Sequence, residues 1–369
     1  MNQLFRWDQM GLFLLALAAG ILPFAVPEVC AAALREGLTL CSGPLLLSLF
    51  PFLVVSRLLI QCPESDLLAL PFRLAAWGIG IRTPCAARVL CIGFLGGFAP
   101  AASAAAQAVR TGQLTAEEAD ALLPACICSG PSFVVLTVGQ SLLGSAELGV
   151  LLFASQITAN YLTAALLNRF AGVRSVKPGS ATPASPAPPR LDEILADAAI
   201  TYCKLCGFIL FFRMLAAGAG ALLPAGAGTL CAILLEVCSG CDLASRTGRW
   251  GSLLCCAALS VQGLSVLLQV RTICPPEMTL LPLYWARMLH LPLSLALFYL
   301  LLPGGEADVF STLPARVLLM RRVPPDCALL VFAVCCMAAC TLRSGIRQVE
   351  QKQMARNAGG CCINSKTLL

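Results

Sequence analysis

Two short stretches of this sequence interrupt long apolar runs and decide how the chain is expected to fold. GFLGGFAP at Gly93–Pro100 breaks one run with three glycines and a proline, and LEVCSGCD at Leu235–Asp242 breaks another with a glutamate, a serine and a glycine. Backbone groups that a break frees inside a bilayer cannot face lipid, so they must be buried in protein or line a wet cavity. Both stretches therefore predict interrupted membrane helices.

The composition of the whole chain agrees with a membrane setting. Of the 369 residues, 58% are hydrophobic and 12% are charged, and the mean hydropathy is +0.84. Soluble domains have about 45–50% apolar and about 25% charged residues. The apolar content is enough for about ten segments of about 20 residues. We therefore expect an all-α polytopic membrane protein, and the composition excludes a soluble globule, a disordered chain and a nucleic-acid-binding domain.

A proline-rich stretch divides the apolar part of the chain into two portions. Five prolines between 178 and 189, mixed with Ser, Ala and Gly, give a linker that has no means of packing a core. Before it, the apolar run that begins at Gly11 continues past Pro23, which favours a retained first span over a cleaved signal peptide. The expected organisation is an N-terminal transmembrane helix and connection (1–37), a first half (38–170), the linker (171–192), a second half (193–302), a C-terminal transmembrane helix region (303–342) and a polar tail (343–369).

The two halves resemble each other at three places in the same order. PFLVVSRLL at Pro51–Leu59 matches GFILFFRML at Gly207–Leu215, the two interrupted stretches above correspond, and GPSFVVLTV at Gly130–Val138 matches GLSVLLQV at Gly263–Val270. This order predicts an internal repeat. Interrupted hydrophobic segments at corresponding positions of two halves are also the best sequence indication of a transporter's binding site.

The candidate site residues lie at and beside these interruptions. Gly and Pro in membrane helices also serve simply to kink them or to let them pack closely, and this alternative stays open for each break. A site is favoured because four breaks are arranged as a repeat and are flanked by polar residues. The breaks are Gly96–Gly97 with Pro100, the run Ser129, Gly130, Pro131 and Ser132, the pair Ser239–Gly240, and the pair Gln262–Gly263.

Several polar side chains in apolar runs are further candidates. An acid inside a span costs at least about 2.5 kcal/mol, so Glu236 is expected to face a cavity or a partner. There it would bind a coupling cation, relay a proton or accept a hydrogen bond from a solute; the alternative is a purely structural pairing. Gln262 and Gln269, with Ser265 between them, share one helical face. They would line a polar path or join two helices by hydrogen bonds.

Two arginines occupy equivalent places in the repeated segment. If Arg57 and Arg213 point inward, they form a paired cationic site for a dicarboxylate. The alternative is that each snorkels to the membrane interface at a helix end. Outside the apolar runs, Thr115 followed by Glu118 predicts a capping box at the start of a surface helix.

Enzyme and metal motifs are missing from the sequence. It has no Walker loop, no HExxH pair and no GxSxG elbow. The cysteine pairs with CxxC spacing lie on apolar runs, and the one histidine, His290, is far from them, so they do not make up the four close ligands of structural zinc. We therefore expect no catalytic residues, no metal and no cofactor.

The ordered segments are similar to those of a known family. GFLGGFAPAASAAAQAVRTGQLTAEEADALL at Gly93–Leu123, CSGPSFVVLTVG at Cys128–Gly139, LLEVCSG at Leu234–Gly240 and SVQGLSVLLQV at Ser260–Val270 resemble the sporulation integral membrane protein YlbJ (SpoVV) family. That family carries the nucleoside-recognition, or gate, domain. The resemblance covers roughly residues 38–302.

This resemblance implies a fold, a function and a set of pore residues. The fold would be similar to the core of concentrative nucleoside transporters, with inverted repeats and re-entrant hairpins. The function would be to move a small organic anion, dipicolinic acid, from the mother cell across the outer forespore membrane of a spore-forming bacterium. Matched by motif, the pore-lining residues would be Gly96, Gly97, Pro100, Ser129, Gly130, Pro131, Glu236, Gly240, Gly263, Ser265 and Gln269.

The implied partners are dipicolinate, the lipid bilayer, a coupling ion and a second copy of the chain, with no nucleic acid. Two alternatives stay open at this point. The chain would instead be a nucleoside-type transporter outside sporulation, or a spore-envelope assembly protein that transports nothing.

Overall fold

The computed structural model of the chain describes residues 2–61, 65–171 and 190–302. Most of the linker, the C-terminal region 303–342 and the tail 343–369 lie outside the described residues. The described residues form helices and connecting segments, with no strand among them.

The first portion of the chain contains nine α-helices and one π-helix within the described ranges. They are α1 Asn2–Ala25, α2 Pro27–Ser42, α3 Pro44–Gln61, α4 Ser65–Leu68, α5 Leu70–Gly78, α6 Pro84–Gly96, α7 Phe98–Arg110, α8 Ala116–Cys126, the π-helix Ser132–Leu142 and α9 Ala146–Ala171. After the linker come α10 Leu191–Leu222, α11 Ala225–Leu235, α12 Val237–Ser245, a 3-10 turn at Gly248–Trp250, α13 Gly251–Val261, α14 Gly263–Ile273 and α15 Leu281–Leu301.

Three helical segments are long and apolar enough to cross a membrane: Ala146–Ala171, Leu191–Leu222 and Gly248–Ile273. Leu15–Ala25 and Pro27–Ser42 would make a fourth if they formed one span, but they are bent by 110°. The described residues thus hold fewer full spans than the roughly ten segments that composition allows. The reason is that several apolar runs are half-length helices, such as Pro84–Gly96 and Gly226–Leu235.

A sharp bend near the N-terminus separates α1 from α2. The first helix ends at Ala25, and Pro27 opens α2 at its first position, where a proline's missing N–H costs nothing. The chain therefore turns sharply at Val26.

The outer surface carries large apolar side chains. Phe24 is 90% exposed, Phe170 84% and Met288 73%. Exposed apolar area of this kind marks a surface that contacts another apolar phase. Together with the candidate spans, it supports an integral membrane protein built from helices.

The alanine-rich helix α7 lies at the centre of the fold. It packs against α3, α6, α8 and α14, and nearly all of its alanines are buried. Side chains this small let helix backbones approach closely, which replaces hydrophobic burial as the packing force between membrane helices. At the start of α8, Thr115 and Glu118 form the predicted capping box, with Thr115 Oγ1 accepting from Glu118 N at 3.1 Å, so the box itself is confirmed. The helix that it opens is not the expected surface helix, because α8 is buried from Glu118 to Pro124.

The four interruptions each separate two short helices. Gly97 stands between α6 and α7, residues 127–131 between α8 and the π-helix, Glu236 between α11 and α12, and Gln262 between α13 and α14. A long helix precedes each set of two interruptions (α3 or α10), and another follows it (α9 or α15). Apart from α1, α2, the short α4 and α5, and the 3-10 turn, the order of elements is therefore the same on both sides of the linker.

Candidate functional site

A cavity lies where the interruptions meet. It contains about 620 Å³ of empty space, counting the part that is open to the outside. Its wall takes residues from α3, from α10, from the first three interruptions and from the helix that follows the fourth. The lining residues are Leu45, Leu49, Leu95, Gly96, Phe98, Ser129, Gly130, Ser132, Phe133, Ile209, Glu236, Val237, Cys238, Val266 and Gln269.

Six of the sequence-predicted site residues line this cavity: Gly96, Ser129, Gly130, Ser132, Glu236 and Gln269. The remaining candidates at the breaks lie outside the wall, next to it in the chain or in contact with it. These are Gly97, Pro100, Pro131, Ser239, Gly240, Gln262, Gly263 and Ser265. The structure thus divides the predicted set into residues that face the cavity and residues that shape its wall.

Glu236 is the one ionisable acid in the wall. It is 2% exposed and connects α11 to α12 in an extended conformation. One carboxylate oxygen accepts from the N–H of Cys238 at 2.8 Å and the other from the N–H of Ser239 at 2.7 Å. These bonds make Glu236 the N-cap of α12, where the helix dipole also stabilises a negative charge. The residue therefore has a structural role and still faces the cavity.

In each portion of the chain, the two interruptions are in close backbone contact at a glycine. A Cβ on Gly97 would lie 2.6 Å from the backbone nitrogen of Gly130, and a Cβ on Gly263 would lie 2.9 Å from that of Glu236. Both glycines also have positive φ, 82° and 71°. Glycine is needed at both positions because it permits the conformation and the close backbone approach at once.

Two glutamines connect to the wall through serines. Gln262 adopts a left-handed conformation that ends α13, and its side-chain amide donates to Leu259 O at 2.6 Å and to Ser129 Oγ at 3.4 Å. Gln269 donates to Ser265 Oγ at 2.8 Å. Its carbonyl oxygen, Oε1, is buried and has no hydrogen-bond partner among the described residues. The wall therefore holds one free amide acceptor.

First-turn residues of three half-helices also reach the cavity. They are Phe98 of α7, Ser132 and Phe133 of the π-helix, and Val237 and Cys238 of α12. The first N–H groups of a helix have no partner within it, and the N-terminal end carries a partial positive charge. Glu236 already caps α12, and in the π-helix Phe133 N and Val134 N donate to Gly130 O. The start of α7 and the N–H of Ser132 are therefore the ones left to act on a bound group. Among the described residues, no arginine or lysine lines the cavity.

The structure does not bring Arg57 and Arg213 together. Arg57 Nη1 lies 2.6 Å from Asp197 Oδ2, and Arg213 Nη2 lies 2.8 Å from Glu36 Oε2. Asp197 and Arg213 are both on α10, 16 residues and hence about 24 Å apart. Neither arginine lines the cavity, so the paired cationic site is not formed. Both acid partners are 61% exposed, whereas the arginine side chains are only 10% and 14% exposed, and Arg213 also interacts electrostatically with Glu236.

Sequence reasoning missed a buried polar network between α9, α13 and α15. Gln156 Nε2 donates to Ser260 Oγ at 3.2 Å, and Ser260 also bonds to Ser294. Arg287 donates to Asn160 Oδ1 at 3.0 Å, and a ring nitrogen of His290 lies 3.2 Å from Gln156 O. The available signal was the presence of Arg and His in the otherwise apolar run of α15.

The cysteines with CxxC spacing do not form a metal site. Within the described ranges, no three His, Cys, Asp or Glu side chains are grouped closely enough to hold a metal ion. Cys238 lines the cavity as a small apolar side chain, and its neighbours Cys206 and Cys241 are buried. In these places a free thiol packs like a small hydrophobe.

Comparisons of the chain with protein-family models, with curated proteins and with solved structures find no match. What the cavity can bind therefore has to follow from the groups in its wall. These are one carboxylate, two serine hydroxyls, one free amide oxygen, two uncapped half-helix starts and a large apolar surface.

Proposed function

We propose that this chain is a secondary transporter or facilitator that carries a small organic anion across a membrane. The observation that carries the proposal is the cavity itself, whose wall combines residues from interrupted helices in both portions of the chain with a buried acid. Discontinuous helices that meet around a central cavity are the usual construction of solute and ion sites in secondary transporters.

The two portions 38–170 and 193–302 are, in this proposal, related halves of an inverted repeat. Three observations support this relation: the shared order of helices, the three sequence matches in the same order, and the pairing of two interruptions through a glycine within each half. Solute would then cross by movement of one half against the other around a fixed site, as in other repeat transporters. The contact between Ser129 and Gln262 lies at the boundary between the halves.

Dipicolinate is the solute that the resemblance to the YlbJ family implies. Its flat ring fits the apolar part of the wall, which includes Leu45, Leu49, Phe98 and Phe133. Its carboxylates would be held by the N–H groups at the starts of α7 and the π-helix and by the serine hydroxyls. In a sporulating cell, the chain would then lie in the outer forespore membrane and supply dipicolinate to the spore.

In this proposal, Glu236 couples the transport of the solute to the entry of an ion. An anion that enters beside a carboxylate meets a like charge, and no arginine or lysine is among the described residues of the wall. Arg213 interacts electrostatically with Glu236 from outside the wall, but it is paired with Glu36. We therefore propose that a proton or a small cation enters with the solute and is held at Glu236. Transport would then depend on the gradient of that ion.

One observation favours a second candidate, a nucleoside-type solute. The free Oε1 of Gln269 and the carboxylate of Glu236 are hydrogen-bond acceptors, and the wall holds no arginine or lysine. A neutral solute with hydroxyl and N–H donors satisfies these acceptors without a charge penalty. The two candidates differ in whether the solute is charged.

Uptake by the purified full chain in proteoliposomes separates the candidates. Labelled dipicolinate and labelled uridine are offered to vesicles that contain the wild type, Glu236→Gln or the exposed control Glu147→Gln, and to empty vesicles. The proposal expects dipicolinate to enter wild-type and Glu147→Gln vesicles and not those with Glu236→Gln. Entry of uridine alone would replace dipicolinate by the second candidate. Entry of neither solute would contradict both candidates and favour the alternative that the chain is an assembly protein that transports nothing.

A further inference from the structure

Arg287 is a cation buried in α15 without an acid beside it. It is 7% exposed, and among the described residues no carboxylate lies within ion-pair distance of its guanidinium. Its hydrogen bonds go to Asn160 Oδ1 at 3.0 Å and to Ser260 O at 3.4 Å, and its Nε has no partner there. A charged side chain at such a place is costly unless other groups compensate it. The compensating groups have to be found in what surrounds it.

Both contacts of Arg287 lead to the carbonyl end of a half-helix. Ser260 is the last residue but one of α13, whose chain is interrupted at Gln262. Asn160 in turn donates from Nδ2 to Ile127 O at 3.3 Å, and Ile127 is the residue at which α8 ends. The last carbonyl groups of a helix have no partner within it, and this end carries a partial negative charge. The guanidinium therefore bonds directly to the negative end of α13 and is linked to that of α8 through Asn160.

These two helices hold corresponding places in the order of elements. α8 leads into the interruption that carries Ser129 and Gly130, and α13 leads into the interruption at Gln262. Their continuations, the π-helix and α14, both supply residues to the cavity wall. A group that fixes the ends of α8 and α13 thus fixes the backbone on which part of that wall is built.

We propose that Arg287 is a built-in cation that holds the carbonyl ends of α8 and α13 together beside the cavity. Carbonyl ends of interrupted helices commonly coordinate a small cation in transporters. Here the guanidinium supplies that charge from within the chain, so no dissolved cation is needed between these two ends. Arg287 acts on the wall through Asn160 and the backbone, which makes it a positioning residue. The proposal holds whatever solute the cavity takes.

The competing explanation is that Arg287 only fills space between α9, α13 and α15. Methionine and lysine separate the two explanations, because both have long unbranched side chains and only lysine keeps the charge. Chemical rescue separates the same two explanations in a second way. Alanine leaves a gap at the carbonyl ends, which a dissolved methylguanidinium ion fills with both volume and charge.

The experiment measures the thermal unfolding midpoint of the purified full chain in detergent for the wild type, Arg287→Lys, Arg287→Met and Arg287→Ala. The surface variant Arg246→Ala serves as the control, because Arg246 is half exposed and pairs only with Asp242 within its own turn. The proposal expects the midpoint to fall in the order wild type, lysine, methionine, with methionine lower than the wild type by about 5–10 °C. Millimolar methylguanidinium should raise the midpoint of Arg287→Ala by several degrees and leave those of the wild type and Arg246→Ala unchanged.

Two results would overturn the proposal. One is a midpoint for Arg287→Met equal to or above that of Arg287→Lys, which would mean that volume and not charge matters. The other is a methylguanidinium effect of the same size in all variants. If Arg287→Ala does not fold, the order of lysine and methionine decides alone.

Discussion

The side-chain amide of Gln262 donates to the hydroxyl of Ser129 at 3.4 Å and joins two helix interruptions that are 133 residues apart in the chain. Ser129 lines the cavity, and Gln262 also bonds to Leu259 O, which holds it at the end of α13. The contact therefore connects the wall of the cavity to the end of a half-helix in the other portion of the chain. Any movement of one portion against the other has to break or stretch it.

Ser129→Ala removes the hydroxyl from the wall and ends this contact. Because the hydrogen bond is long and Gln262 keeps its bond to Leu259 O, the expected loss of stability is only about 0.5–1 kcal/mol. Dipicolinate uptake in proteoliposomes should fall by about tenfold or more if, as proposed, the hydroxyl also holds the solute. Ser56→Ala is the control, because Ser56 is buried but bonds only within α3, to Leu53 O. Equal uptake by both variants would remove Ser129 from the site.

Glu236→Ala and Glu236→Gln separate the capping role of Glu236 from its charge. Alanine loses both backbone bonds, and loss of an N-cap costs about 0.5–2 kcal/mol, whereas the glutamine oxygen still accepts one of the two N–H groups. The unfolding midpoint should therefore be lowest for alanine and intermediate for glutamine. Uptake should be lost in both, because neither variant can take up the coupling ion. Ion-coupled uptake that persists in Glu236→Gln would contradict the role of the carboxylate.

Gly97→Ala should destabilise the protein far more than Gly112→Ala. Both glycines have positive φ, 82° and 69°, but a Cβ on Gly97 would lie 2.6 Å from Gly130 N, whereas a Cβ on Gly112 has nothing within 4 Å. Left-handed strain costs about 1–2 kcal/mol, so Gly112→Ala measures a positive-φ substitution without a steric clash. Gly97 has φ 82° and ψ −163°, a conformation that is essentially restricted to glycine. The larger drop in unfolding midpoint expected for Gly97→Ala therefore combines this backbone strain with the close approach of the two interruptions. Similar drops for both variants would mean that the interruptions are not in tight contact.

The interruptions could be predicted from the sequence because they are local. Gly97, Glu236 and the Gln262–Gly263 pair each stand out from the apolar residues on either side, and the capping box of Thr115 and Glu118 needs only three residues of spacing. The number of full spans could not be predicted in this way. An apolar run has the same composition whether it crosses the bilayer or forms a half-length helix such as α6 or α11, and only tertiary packing distinguishes them.

The polar network and the partners of the arginines could not be predicted for a different reason. Arg287 bonds to Asn160, which is 127 residues away, and Arg57 bonds to Asp197 at a separation of 140 residues. No spacing rule connects residues on different helices, so the sequence leaves open whether an arginine faces a cavity, a helix end or an acid. In the fold, Arg287 bonds to the carbonyl end of a helix, whereas Arg57 bonds to an acid.

Arg213→Gln should leave the solute preference of the protein unchanged. Arg213 pairs with Glu36, whose carboxylate is 61% exposed, and it does not line the cavity. It interacts electrostatically with Glu236, but that interaction does not bring it into contact with a bound solute. A partly exposed ion pair contributes about 0–1 kcal/mol, so the unfolding midpoint should fall only slightly. The ratio of dipicolinate to uridine uptake should stay at its wild-type value, and the same is expected for Arg57→Gln. A shift of that ratio in either variant would mean that the arginines take part in solute binding.

Gln269→Leu tests whether the free amide oxygen in the wall forms a hydrogen bond to the solute or has no role in binding. Leucine keeps the approximate volume and removes a buried acceptor that has no partner among the described residues, so the stability should be unchanged or rise by about 1 kcal/mol. If the solute bonds to that oxygen, its loss costs about one hydrogen bond, and the KM for uptake should rise by about tenfold. Ser265→Ala is the matched control, because it breaks the bond to Gln269 Nε2 without removing a group from the wall. The KM of this variant should stay within about threefold of the wild-type value, which corresponds to less than about 1 kcal/mol. A Gln269→Leu protein that is less stable and has an unchanged KM would show that the amide supports the fold and not the solute.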